Sequence, residues 1–341
     1  MRTQRANNRP RWPTLVLPLL ITLLLCTGCE GGQKSVQKTK AQGAKNMITY
    51  PIGRFAVDIP AEMTLDHQGQ TVRYTDIEEV AWPAGMPHEK AREAEWDRRL
   101  GKIRDLRPPR GKDRVILEIR DVPALGKRAK AVLYYSSDVS SRTGDWELLV
   151  DTGTSGVWFR YNGVLTAKEE MLAWVTGIAN AYQSRRFGDL KLPPGSWFYT
   201  RAGAVNLPFL EDESAYARFE GHPLGLKIQI EMNEIHIDEH PKEGLLARTA
   251  AAIATGYAAG VDVDRIRSRK RTVAGLEGEE EVDRMTDQYR TALSCAWRFA
   301  GKKNSGELPE ILIHMESADG KLDEKLKIWD SVLDSMKPLY K

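Results

Sequence analysis

The sequence predicts an α+β protein made of two related domains, each a mixed or antiparallel sheet with two helices. Three observations carry that expectation. Apolar residues alternate at period two in many short runs, the mark of strands with one buried face. Each half runs strands, helix, strands, helix, an order that argues against a doubly wound parallel sheet. The element order, with a tryptophan in each closing helix, recurs at a spacing of about 150 residues, as duplication would produce.

The first domain is expected over residues 47–188. Phe55, Val57 and Ile59 alternate, as do Val72 and Tyr74. A charged helix follows from His88 to Arg104, with Trp96, Leu100 and Ile103 on one face. Val115/Leu117/Ile119, Ala131–Tyr135, Trp146–Val150 and Val157–Tyr161 read as strands, the last two joined by a turn over 151–156. Thr166 and Glu169 form a T-x-x-E capping box ahead of Met171, Trp174, Val175, Ile178 and Tyr182 at helical spacing. The junction is placed at 184–194, where Arg185-Arg186 and Pro193-Pro194-Gly195 break the pattern.

The second domain, 189–341, repeats the order. Trp197–Thr200, Tyr216–Phe219 and Leu226/Ile228/Ile230/Met232 predict strands. Leu246, Thr249, Ala250, Ile253 and Tyr257 predict a helix. Val273–Gly278 echoes Val122–Gly126, and Leu293–Phe299 and Ile311–Met315 resemble strands. The closing helix sets Leu326, Trp329 and Leu333 against Met171, Trp174 and Ile178 of the first domain.

Ahead of both domains stands an export signal, residues 1–28. Arg2, Arg5, Arg9 and Arg11 precede a short apolar stretch, Leu15 to Leu25, interrupted by Pro18 and Thr22. That stretch is well below the roughly 20 residues a spanning helix needs. Thr27-Gly28-Cys29 then looks like a bacterial lipobox with Cys29 as the lipid-attachment residue, although Cys26 stands where leucine is usual. Residues 29–46 are polar, rich in Gly, Lys and Gln, and predict a flexible tether spanning about 20–25 Å. Glu30, rather than Asp, after the cysteine favours the outer membrane over the inner.

The net charge of +3 is set by the signal. Without its four arginines the chain carries 46 basic against 47 acidic residues, and residues 47–341 alone carry 42 against 46. A body of that balance has no excess of cations for a nucleic-acid backbone. The tether's Lys34, Lys38, Lys40 and Lys45 suit an anionic membrane surface. Once Cys29 carries lipid, Cys295 has no partner for an intramolecular disulfide, and its apolar setting predicts a buried small hydrophobe.

Chemistry-bearing motifs are weak. His236-Ile237-Asp238-Glu239-His240 matches H-x-x-E-H, but that zinc signature needs a helix. Here it continues a strand pattern into Pro241, and a strand would set the two histidines roughly 13 Å apart. One zinc ion, with bonds near 2 Å, cannot take both. Asp262-Val263-Asp264 lacks the spacing of a calcium loop and is expected at a strand or turn edge. Gly153–Gly156 suits a hairpin turn, not a nucleophile elbow. Glu279, Glu280 and Glu281 are expected on a solvated strand, with an interaction edge as the functional alternative. No P-loop or dinucleotide fingerprint occurs, and no cofactor, metal or catalytic residue is predicted.

Several stretches resemble the immunity proteins that protect bacteria against lipase (phospholipase) effectors of the type VI secretion system. Ile52–Pro60 is similar to that family's opening Gly-Arg-aromatic strand ending in Asp-x-Pro. Val273–Glu280 is similar to its Ala-Gly-Leu-x-Gly-Glu-Glu segment, and Trp297-Arg298-Phe299 and Ile311–Met315 fall at its late strands. The resemblance implies a binder of a cognate lipase effector. With the lipobox and the weak motifs it predicts a lipid-anchored periplasmic protein without enzymatic activity, and two related halves on a hinge would form a clamp whose cleft is the expected binding surface. The competing expectation is a cell-envelope lipoprotein enzyme or small-ligand receptor.

Overall fold

The computed structural model describes residues 46–340 apart from 127–128, 154, 187–188, 191, 236–243 and 255–259. The signal, Cys29, all of the tether but Asn46, and the His236–His240 motif therefore lie outside the described residues. Ala41–Lys341 is one compact unit.

In chain order the first half holds β1 (Met47–Ile52), β2 (Phe55–Pro60), β3 (Thr64–Val72), β4 (Thr75–Ala81), α1 (His88–Arg104), β5 (Ile116–Asp121), β6 (Lys130–Tyr135), β7 (Thr143–Asp151), β8 (Ser155–Val164), α2 (Lys168–Ala181) and β9 (Tyr182–Ser184). The second holds β10 (Trp197–Tyr199), β11 (Gly203–Asn206), β12 (Glu213–Glu220), β13 (Lys227–Asn233), α3 (Leu245–Ala254), β14 (Asp262–Val273), β15 (Leu276–Thr286), β16 (Thr291–Phe299), β17 (Glu310–Ala318), α4 (Leu322–Ser335) and β18 (Lys337–Pro338). The predicted α+β class holds, with every strand pairing of the named sheets antiparallel.

Among the described residues twelve strands form one sheet, ordered β14-β15-β16-β17-β13-β12-β3-β4-β8-β7-β6-β5. Outward from the central β12–β3 pair, the two sides repeat one another. β4 and β13 each precede the first helix of their half. β8 and β17 each precede the closing helix, and α2 and α4 are both 14 residues long. The sheet crosses the boundary expected between the domains without a break, because β12 pairs with β3 from Glu213↔Val72 to Glu220↔Thr64.

Burial explains which strands the alternation found. In β12 and β13 every second residue is buried, since one face meets the core. β7 is buried almost without interruption because both faces are covered. On one side lies α2. On the other, Trp96, Leu100 and Ile103 of α1 pack with Val132, Tyr134, Leu149 and Trp158, and the rings of Trp96 and Trp158 stack 5.7 Å apart. A single larger apolar cluster runs through both halves, from Ile77 and Phe159 to Trp297 and Trp329.

Two local expectations change. The capping box is not made: Thr166 lies in a 3-10 turn, and the residue capping α2 is Ala167, with no side-chain hydrogen bond. Glu169 instead accepts from Arg120 at 2.8 and 2.9 Å, a charged partner stronger than a backbone amide. Asp262 and Asp264 open the long edge strand β14. That strand turns into β15 through Ala274 and Gly275, both with positive φ (54° and 79°), the mirror-image turn that tight hairpins favour. Gly278 lies against Trp297, where a Cβ would sit 2.5 Å from the indole.

Candidate functional site at the joint of the halves

Two exchanged hairpins make the joint between the halves. The β1–β2 hairpin begins the first half but pairs with β18 at the end of the second, Lys337↔Ala56 and Pro338↔Phe55. It packs on α4, where the Asp58 amide donates to Ser335 Oγ at 2.8 Å. The β10–β11 hairpin begins the second half but pairs with β9 at the end of the first, from Gly203↔Ser184 to Val205↔Tyr182. The backbone bonds that extend these pairings also correspond: Leu339 N–H to Arg54 O at 2.8 Å, and Arg185 N–H to Ala202 O at 2.9 Å.

A carboxylate from the opposite half pins each hairpin turn. Arg54 donates through Nε to Glu213 Oε2 at 2.7 Å and through Nη2 to Oε1 at 2.5 Å. Its remaining donors reach Ser196 O and Leu207 O. Both side chains are 4% exposed. In the other half Glu79 of β4 accepts from Tyr182 Oη at 2.6 Å, from the Ala202 amide at 2.8 Å and from Thr200 Oγ1. The two turns meet where Gly53 and Tyr199 exchange backbone hydrogen bonds of 3.0 and 2.7 Å. Sequence reasoning named neither Glu213 nor Glu79. Arg54 was visible only as part of the resemblance motif.

The acidic run of β15 is drawn into the fold. Glu280 is fully buried and accepts from Arg269 Nε at 2.6 Å, Trp329 Nε1 at 2.9 Å, Arg271 Nη1 at 3.1 Å and Arg267 Nη1 at 3.2 Å. Burial alone would raise its carboxyl, but these donors hold it below the usual range. Arg267 and Arg271 continue to Asp330, tying the edge strand to α4. Glu279 accepts the Leu246 amide at the first turn of α3. Glu281, 4% exposed, pairs with Arg265 at 2.7 Å. Glu280 and Glu281 are thus buried where solvation was the expectation.

Other titratable groups sit under the sheet's outer faces. Burial raises Asp145 and Glu147 of β7, and Tyr134 donates to Glu147 at 2.7 Å. Asp283 is pushed up to about 6 by burial and by neighbouring Glu281. The Cys295 thiol, fully buried, is pushed up to about 12, which makes it inert as a nucleophile. A polar hollow of about 240 Å³ is lined by Arg92, Glu93, Trp96, Asp97, Lys130 and Leu149. None of the raised carboxylates is among the residues that line it. Among the described residues no three His, Cys, Asp or Glu side chains are placed to hold a metal, and no helix is long and apolar enough to cross a membrane.

The fold is similar to that of solved immunity proteins of the type VI secretion system. The chain is similar to the apo immunity protein TplEi of the type VI secretion system of Pseudomonas aeruginosa, at 20% identity, over 86% of this chain and 97% of that one, with a TM-score of 0.67. It is similar to a chain of the Tle4–Tli4 complex at 20% identity, over 89% of this chain and all of that one, with a TM-score of 0.69. TplEi complexed with an "L" peptide matches at 18% identity, over 89% of this chain and all of that one, with a TM-score of 0.65. Residues 203–338, from the start of β11 to the end of β18, match the family model of the Tle cognate immunity protein 4 C-terminal domain. The resemblance read from the sequence is therefore borne out. A comparison with curated proteins finds no match.

Proposed function

We propose that this protein is a membrane-tethered immunity protein of the periplasm. It binds the cognate type VI phospholipase effector and neutralises it, holding it between surfaces of both halves. The observation that carries this reading is the match of residues 203–338 to an immunity domain named for its cognate Tle effector. The fold shared with the Tle4–Tli4 complex supports it.

Activity by binding, without catalysis, fits the site chemistry. Glu79, Glu213, Glu280 and Glu281 are engaged in holding elements together, and the raised carboxylates lie apart from the polar hollow. A lipid on Cys29 with a tether of about 20–25 Å would confine the binder to the surface that a lipase attacks, raising its effective concentration without new contacts.

The test is co-expression with the lipase encoded beside it, exported to the periplasm. Growth should be rescued and the two proteins should co-purify as a stable complex. Toxicity unchanged by co-expression would overturn the proposal.

A further inference from the structure

We infer that the chain is a two-fold dimer closed into one polypeptide. Its halves are locked together by the exchanged hairpins, and the peptide connection around residues 185–196 is not what holds them. This goes beyond the proposed function and does not depend on it.

Three independent sets of contacts cross between the halves. The first is the β3–β12 ladder, antiparallel from Glu213↔Val72 to Glu220↔Thr64. The second is the pair of exchanges, β2 with β18 and β11 with β9. Each half gives away its opening hairpin and receives the other's, the reciprocity of an isologous contact in a two-fold dimer. The third is the pair of pinned turns, Arg54 on Glu213 and Thr200 with Ala202 on Glu79, joined back to back through Gly53 and Tyr199.

The arrangement has a mechanical consequence. For the halves to open about the central ladder, each hairpin must stay with the half that received it or leave its foreign strand. Leaving exposes the buried Arg54–Glu213 pair and the apolar residues beneath it, Ile52, Phe55 and Phe198. Staying breaks the Gly53–Tyr199 backbone bonds that join the two turns, so neither route opens the joint freely. The angle between the arms is set on folding, so a partner meets a preorganised surface and little ordering cost opposes binding. The same exchange explains why β2, near the start of the described residues, packs on α4 near their end.

The experiment uses the full mature chain with a protease recognition segment inserted between Arg186 and Asp189. After folding and cleavage, both fragments should elute together at the mass of the intact protein and separate only in denaturant. Fragments that part under native conditions would overturn the inference. Because an insertion can impair folding, the unaltered protein gives a second readout. Urea unfolding should show one transition, with hydrogen exchange of the β2–β18 and β9–β11 amides protected to the same global level. Two transitions, or one hairpin opening ahead of the rest, would refute the lock. Neither measurement involves the effector, so failure of the immunity proposal would leave these outcomes unchanged.

Discussion

Arg54 and Glu213, 159 residues apart, meet as a buried bidentate pair that joins the turn of the first hairpin to the first strand of the second half's sheet. Breaking such a pair from one side leaves a charge without compensation, which costs about 3–5 kcal/mol. Arg54→Leu should therefore lower unfolding stability by that amount in urea titration. Arg54→Lys should recover only part of it, since a point ammonium cannot reproduce the fork or reach Ser196 O and Leu207 O together. The double variant Arg54→Leu with Glu213→Leu should lose less than the sum of the single losses. Single-variant losses under about 1 kcal/mol would mean that the pair does not hold the joint.

Glu280 makes the acid side of stability. Its folded carboxyl is depressed, so its contribution is present in full above the unfolded value and fades as pH falls through the folded one. Glu280→Gln should destabilise strongly at pH 7, because Arg267, Arg269 and Arg271 lose their common counter-charge. The difference between wild type and variant should shrink towards pH 3. A difference that stays constant from pH 7 to pH 3 would exclude the carboxylate as its source.

Asp283 has the opposite sign. Its folded carboxyl titrates at about 6, above its unfolded value of 3.8. Relative to an ordinary aspartate it favours the folded state below the unfolded value, and this advantage is lost as pH rises through about 6. Asp283→Asn should then be stabilising at pH 8, by an amount on the order of 1–3 kcal/mol, and near neutral at pH 4. Thermal melts at the two pH values check this, and a variant equally destabilised at both would show that Arg265 outweighs burial and Glu281.

The class and most strands were legible because one-sided burial writes itself as alternation, as in Leu226 to Met232. β14 was not legible as a strand. Its run Arg265–Arg271 carries one apolar residue, Ile266, and its arginines are paired by Glu280 and Glu281 of β15 and by Asp330 of α4. β9 and β18 are too short to carry a period, and they exist because a hairpin from the other half pairs with them. For the same reason the joint stayed hidden. Arg54–Glu213 and Glu79–Ala202 are long-range pairs, and local spacing carries no mark of them. Glu280 was noticed as charge and misplaced as solvated, since burial of an acid depends on partners that only the fold brings near.

The proposed anchor carries its own prediction. Under that proposal Cys29 is the residue that decides where the protein resides. Cys29→Ser should release the chain from the membrane fraction into the soluble periplasm without changing its unfolding stability, since the proposed tether separates Cys29 from β1 at Met47. Co-expressed with the effector, the released variant should still form the complex when purified. It should protect cells less at low expression, because only the effective concentration at the membrane has fallen. Raising its expression should restore protection. If Cys29→Ser still sediments with membranes, Cys29 is not the anchor. If it is soluble and protects equally at every expression level, tethering plays no part in neutralisation.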